Sequence, residues 1–370
     1  MFNNLLPPIV VQILQRLDLV LLSALGLLIF AGGVTLYSAS DMSLEMVYRQ
    51  GLHFLLGCSL MVVMSQVQSK TLRQWVVWLY GIGLVLLVLV LVVGETKKGA
   101  TRWLYIGIDI QPAEMMKIAV PMMIAYYFSE KSLPPRLIDI IIALILIFVP
   151  MLLIMKQPDL GTSLLIAVSG LFVIYLAGMS WWLIGGAIAF IAVAAPLMFH
   201  YGMHEYQRQR VLTLISDDVN VLKEGYHIYQ SKIAIGAGGL YGKGWQNGDQ
   251  SHLDFLPERH TDFIYAVFGE EFGLVGNLAL LSLYLFIIWR ALYIASKGED
   301  TFGRLLAGSL SLTFFIYLLV NTGMVSGVLP VVGVPLPLVS YGGTSIVTLM
   351  IAFGIIMGMK KRKRIYQTDD

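Results

Sequence analysis

Long apolar runs recur along the whole of this chain, and their length constrains the fold more than any other feature. In 19–38, 75–94 and 137–155 the apolar side chains continue for nearly the full stretch, close to the roughly 20 residues that carry an α-helix across a bilayer. Further runs at 51–67, 114–128, 161–177, 182–199, 264–293, 305–325 and 344–359 bring the total to ten. The fourth is interrupted by Lys117, and the turn Gln157-Pro158-Asp159 separates the fifth from the sixth. Only 13% of the residues are charged, against roughly a quarter in an ordinary soluble domain. The expectation is an all-α integral membrane protein of about ten transmembrane helices. It forms a single polytopic domain over 1–370, with a long extracellular or periplasmic loop at about 200–263 between helices 7 and 8 and a basic tail at 360–370. The first run is longer than a signal-peptide core and is read as a retained helix.

An even number of spans puts both termini on one side. That side carries Arg16, Lys70, Arg73, Lys131, Arg136, Arg290, Lys297, Arg304 and the tail Lys360 to Arg364, so the positive-inside rule makes it cytoplasmic. A net charge of +2, with its cations gathered at span ends, gives no footprint for nucleic acid. Cys58, the single cysteine, excludes an intrachain disulfide and a cysteine-rich metal site. Three outer segments stand out: 95–117, the 200–263 loop, and 326–344. The last combines apolar residues with Pro330, Pro335, Pro337, Gly342 and Gly343. Helix-breaking backbone at membrane depth has to be buried in protein or line a cavity.

Ionisable groups in or beside apolar helices are costly unless paired or wetted, which makes them functional candidates. Glu114 and Lys117 share a helix face at i, i+3, and either form a structural salt bridge or face a polar ligand. The stretch Phe255 to Phe263 holds Glu258, Arg259, His260 and Asp262 directly before a span. A helix starting soon after Pro257 would align Glu258 with Asp262. Partial burial at the membrane edge would raise the Asp262 pKa toward that of a general base, and the alternative is a helix cap by Thr261 or Asp262. Asp159 reads as a cap for the sixth helix ahead of any catalytic part. Arg208, Arg210 and Lys232, like Lys97, Lys98 and Arg102, suit a pyrophosphate or are solvated charge. The glycine-rich run 236–244 departs from a P-loop at Ala237 and Gly244 and reads as a flexible turn. His200 and His204, at i, i+4, lack a third metal ligand.

These stretches together resemble the SEDS family (shape, elongation, division, sporulation) of membrane proteins, nearly from end to end. The motifs are Lys98-Gly99-Ala100-Thr101-Arg102-Trp103-Leu104, Gln111-Pro112-Ala113-Glu114-Met115-Met116-Lys117 and Gln157-Pro158-Asp159-Leu160-Gly161-Thr162. They continue with Tyr206 to Arg210, Gln230 to Gly236, Phe255 to Phe263, and Pro335 to Gly343, which includes Ser340. Ala113 stands where the family usually has serine. The resemblance implies a peptidoglycan glycosyltransferase that polymerises lipid II at the outer face of the bacterial cytoplasmic (inner) membrane. It also implies that Asp262 is the essential carboxylate, with Glu114 and Lys117 as functional cavity residues. Arg102, Asp159, Arg208, Arg210, Lys232, Glu258, Arg259, His260 and Ser340 are the expected substrate-binding set. Overall similarity and the short segment before the first span favour the cell-elongation branch over the division branch.

On this reading Asp262 deprotonates the acceptor 4-hydroxyl, which attacks the donor's anomeric carbon with inversion while undecaprenyl pyrophosphate leaves. Lys117, Arg102 or Arg210, with or without a divalent cation such as magnesium or manganese, would stabilise the departing charge. No cofactor is assigned and the metal is left unknown. The expected partners are a class B penicillin-binding transpeptidase and other elongation-complex membrane proteins. A flippase for the same lipid is the rival from another class, and a scaffold for the transpeptidase ranks last. The candidates crowd the outer half, whereas a flippase needs a polar path through the whole membrane.

Overall fold

A computed structural model describes residues 15–97, 100–105, 109–202, 208, 226–249 and 258–360. Each of the ten expected runs is a helix: α1 (Leu19–Ala39), α2 (Leu44–Gln66), α3 (Ser69–Val93), α4 (Pro112–Ser129), α5 (Leu137–Met155), α6 (Leu160–Leu176), α7 (Trp181–Leu197), then α9 (Ile264–Ser296), α10 (Thr301–Val325) and α11 (Gly343–Gly358). An additional helix, α8 (Tyr226–Ala237), lies within the long loop. Among the described residues, six helices are long and apolar enough to cross a membrane by length and composition: α1, α2, α3, α5, α9 and α10. The chain is an all-α, multi-pass membrane protein. Its small exception is an antiparallel sheet of β1 (Glu95–Lys97), β2 (Ala100–Tyr105) and β3 (Asp109–Ile110) in the 95–117 segment.

Local chemistry explains where several helices start. Asp18 Oδ1 accepts from Leu21 N at 3.1 Å to begin α1, and Asp300 Oδ1 accepts from Gly303 N at 2.8 Å to begin α10. Each carboxylate satisfies an amide that has no partner inside its helix. Pro112 opens α4, where its missing N–H costs nothing. The bundle is built around α10, which packs against α4, α6, α9 and α11. The outer faces of α2, α3 and α5 are apolar and exposed, with Leu52, Leu55, Trp75, Trp78, Ile138 and Ile145 among their side chains. Exposed apolar faces of that extent fit a lipid surround rather than water. The fourth run, weakened in sequence by Lys117, is a helix buried along most of its length. Its polar pair therefore sits in protein and not in lipid.

Two irregular segments depart from simple spans. The backbone of α9 breaks at Gly273 (φ 64°, ψ −161°), and the glycine-rich turn docks into that break. Lys243 N and Gly244 N donate to the carbonyls of Glu270 and Glu271, both at 3.0 Å, and Leu274 N donates to Gly239 O at 2.9 Å. A Cβ on Gly242 would overlap the Glu271 carbonyl, so the turn needs glycine for close approach. The flexible-turn reading of 236–244 is therefore corrected: these amides are already engaged by protein. Below them, buried Glu270 pairs with Lys243 at 2.9 Å, and buried Glu271 accepts from Ser38 and from Gln246 N.

The second irregular segment follows α10. No helix forms between Ser326 and Gly342, yet Val334, Leu336, Leu338, Val339 and Ser340 are buried. Tyr284, wholly buried well along α9, donates to Pro337 O at 2.6 Å, and Leu338 and Val339 lie against Gly32 of α1. The segment thus dips into the bundle and has its polar backbone met by protein, as irregular backbone inside a membrane protein requires.

Candidate functional site

At the end of the bundle reached by 326–342, the turn 258–263 is held by its main chain. His260 O accepts from Tyr341 N at 2.8 Å, Thr261 O from Ser340 Oγ at 2.6 Å, and Asp262 O from Asn321 Nδ2 at 2.9 Å. Three successive carbonyls are thereby committed to other elements and cannot build a helix. Glu258 sits in the left-handed region at φ 56°. The expectation that Glu258 and Asp262 share a helical face is therefore corrected: the helix begins at Ile264. The capping position is Phe263 and not Thr261 or Asp262, and the Thr261 hydroxyl is turned to Glu258. What the turn does instead is present Asp262 at the bundle end, where its Oδ2 lies 3.4 Å from the place a Cβ on Gly333 would occupy.

Gly333 belongs to a short strip whose neighbouring Val332 carbonyl touches Gly161, at the start of α6, closely enough that a Cβ there would overlap it. Asp159 lies just before that helix and caps it, with Oδ1 accepting from Thr162 N at 3.2 Å. The capping role expected for Asp159 is present, together with an ion pair to Arg102 Nε at 3.4 Å. That contact is close in distance but poorly directed, since neither Nε nor Oδ2 makes a hydrogen bond. Arg102 is carried by β2 and also donates to Pro158 O at 3.0 Å.

Lys117 Nζ is 2.6 Å from Glu114 Oε1, and both residues are at least nine-tenths buried. Both readings of this pair have an observation in their favour: it is a salt bridge, and Glu114 Oε2 is buried without a hydrogen-bond partner. Lys117 also lies 5.3 Å from the ring centre of Tyr317 on α10, within cation–π range. Tyr317 is in turn within electrostatic reach of Glu114 and Asp159. The structure thus gathers Glu114, Lys117, Arg102, Asp159 and Asp262 around the 332–333 strip and the C-terminal half of α10.

The other candidates stand apart from this group or serve it structurally. Ser340 is buried, and its hydroxyl accepts from Leu336 N at 2.8 Å while donating to Thr261 O. Arg259 pairs with Asp41 in the turn between α1 and α2. Exposed Glu258 accepts from Thr261 Oγ1 at 2.8 Å, and half-buried His260 contributes the carbonyl already described. Lys232, on the exposed face of α8, lies against Gly327 beyond the end of α10. Arg208 sits 5.3 Å over the ring of Phe199. Arg210, Lys98 and His204 lie outside the described residues. Among those described, no three His, Cys, Asp or Glu side chains converge on a common point. No protein-built cation site is formed by them.

Several contributors were not among the sequence candidates. Gln50, buried on α2, donates to Ser340 O at 3.0 Å and accepts from Gly342 N at 3.3 Å. Gln157 donates to Leu87 O at 3.1 Å, pinning the α5–α6 corner to α3. His227 stacks on Phe263, the two rings 5.7 Å apart. Burial pushes its pKa below the ordinary histidine value, although Glu258 nearby acts in the opposite direction. Asn321 is buried within an apolar run of α10. Amides in such runs carry the same signal as ionisable groups, because an unpaired amide in an apolar setting is also costly.

A family model described as cell cycle protein, of the FtsW, RodA and SpoVE type, matches residues 12–365. The chain is 51% identical over 346 residues to the peptidoglycan glycosyltransferase MrdB of Escherichia coli K12, covering 93% of each chain. Its fold is similar to a chain from a solved peptidoglycan synthase complex that coordinates polymerization and crosslinking. That match has a TM-score of 0.80 and 28% identity, and covers 92% of this chain and 96% of the other. It is also similar to the crystal structure of the rod shape determining protein RodA of Thermus thermophilus, with a TM-score of 0.70, 27% identity and coverage of 92% and 95%.

Proposed function

This chain belongs to the FtsW, RodA and SpoVE family of cell cycle proteins, and on that premise we propose that it is a peptidoglycan glycosyltransferase of the cell-elongation type. Its substrate is lipid II, and polymerisation takes place at the outer face of the cytoplasmic membrane. The end of the bundle bearing Arg16, Arg73, Lys131, Arg290 and Lys360 faces the cytoplasm with both termini, in keeping with the positive-inside rule. A class B transpeptidase is the partner that crosslinks the product, a reading supported by the likeness to a synthase complex.

The observation that carries the proposal is the placing of Asp262 beside the same 332–333 strip that touches the α6 terminus next to Arg102 and Asp159. A base and a cationic group thus flank one narrow wall. Asp262 takes the proton from the acceptor 4-hydroxyl. That oxygen bonds to the donor's anomeric carbon as the bond from this carbon to the pyrophosphate oxygen breaks. Lys117 and Arg102 meet the growing negative charge on the leaving group, which favours the transition state over the bound substrate.

The test is glycan polymerisation from purified lipid II by the purified chain with its transpeptidase, comparing wild type with Asp262→Ala at equal folding. General-base loss lowers turnover by about 10²- to 10⁴-fold. A folded wild type that makes no polymer but moves lipid II across liposome bilayers overturns the enzyme reading in favour of a flippase.

A further inference from the structure

We propose that Asn321 is the positioning residue for Asp262, so that the reaction depends on a buried amide as well as on the carboxylate; the inference rests on the polymerase reading above. Asn321 lies on α10 with no exposed surface. Its Nδ2 donates to Asp262 O at 2.9 Å and to Val334 O at 2.8 Å. One nitrogen therefore ties the main chain of Asp262 to the residue after Gly333, the glycine that faces the Asp262 carboxylate. The neighbouring carbonyls of His260 and Thr261 are held by Tyr341 and Ser340, from the irregular segment. Asp262 itself is held from a helix.

That helix also carries Tyr317, one turn earlier on the same face and 5.3 Å from Lys117 Nζ. A rigid turn of α10 thus sets the spacing between Asp262 and the Glu114–Lys117 pair. Spacing matters here because a misplacement of about 1 Å costs on the order of 10²-fold in rate. The amide orientation is dictated by its surroundings, since the flipped form would point an oxygen at two carbonyls. Asn321 Oδ1 is buried without a hydrogen-bond partner among the described residues. An orphaned buried acceptor is a cost that packing alone does not explain, and leucine of similar size would avoid it.

The experiment measures kcat, KM and the pH–rate profile for lipid II polymerisation by the full chain with its transpeptidase. Wild type, Asp262→Ala, Asn321→Leu, Asn321→Asp and Asn321→Ser are compared, with thermal stability read alongside. Asn321→Leu and Asn321→Asp, which lack the donor nitrogen, are expected to lower kcat about tenfold or more. KM should stay within about twofold, as expected when only the transition-state geometry suffers, and the acid limb of the profile should move. Asn321→Ser keeps one shorter donor that can meet at most one of the two carbonyls, so its kcat should fall between wild type and these two; if they fail to fold, wild-type kcat with an unmoved acid limb in folded Asn321→Ser overturns the proposal. Wild-type kcat in any folded variant lacking the donor overturns the proposal, as does a kcat loss that merely follows lost folding and leaves the acid limb in place. If wild type itself makes no polymer, the polymerase reading fails. If wild type works, Asp262→Ala is dead and Asn321→Leu is normal, only the role of Asn321 fails.

Discussion

The basic end of the bundle and the site around Asp262 treat buried charge in opposite ways. At the basic end, Asp18 is enclosed: Arg290 donates through Nε and a terminal nitrogen at 3.0 and 2.8 Å, Lys360 adds a contact at 3.0 Å, and Leu21 N completes the set. These groups hold the Asp18 carboxyl below its ordinary pKa even though burial alone would raise it. Asp139 is similarly met by Tyr127 and the Arg136 amide. At the Asp262 site, Glu114 has one oxygen unmet, Arg102 and Asp159 approach without good direction, and Asn321 has an orphaned acceptor. Completed networks close a structure, and incomplete ones leave capacity for a ligand.

This contrast can be broken by substitution. The largest effect after Asp262→Ala is expected from Glu114→Gln combined with Lys117→Met. Replacing a buried ion pair with neutral residues is often neutral or stabilising by about 1–4 kcal/mol, so Tm should hold or rise. Polymerisation should nevertheless fall about 10²-fold or more if the pair meets the leaving group's charge. Unchanged turnover would reduce the pair to a structural bridge.

Asp18→Asn should do the reverse. It weakens charge-assisted hydrogen bonds worth about 1.5–3 kcal/mol each, lowering Tm while per-molecule kcat in the folded complex stays within about twofold. A large loss of kcat at equal folding would erase the distinction between the two regions.

The smallest effect concerns His227. Its folded-state pKa lies below the unfolded value of about 6.5, so the neutral ring is the form compatible with the fold. Docking of α8 is unaffected above that value and weakens as pH falls below it. The hydrogen-exchange protection factor over 226–237, referenced to the intrinsic amide rate at each pH, should therefore fall from pH 7.5 to 5.5 in wild type and much less in His227→Phe.

The ten apolar runs, the helix-breaking 326–344 segment and the Glu114–Lys117 pair were legible in the linear chain because each depends on near neighbours. Length, periodicity and i, i+3 spacing are local quantities. The break in α9 at Gly273 was not legible, because it is stabilised by a turn some thirty residues earlier whose amides meet the Glu270 and Glu271 carbonyls. Nor was the non-helical form of 258–263, which depends on carbonyl partners at Asn321, Ser340 and Tyr341.

Sequence alone therefore determined that this protein lives in a bilayer as a bundle of helices, since the apolar lengths leave its backbone few other ways to satisfy its hydrogen bonds there. It also singled out Glu114 and Lys117 by the cost of charge beside apolar helices, and Asp262 through the family resemblance of the stretch that holds it. Tertiary structure decided which groups meet, and it drew Gln50, Tyr317 and Asn321 into the site. Hydrogen-bond partners far apart in the chain become specific only once the packing of α2, α4 and α10 fixes the distance between them.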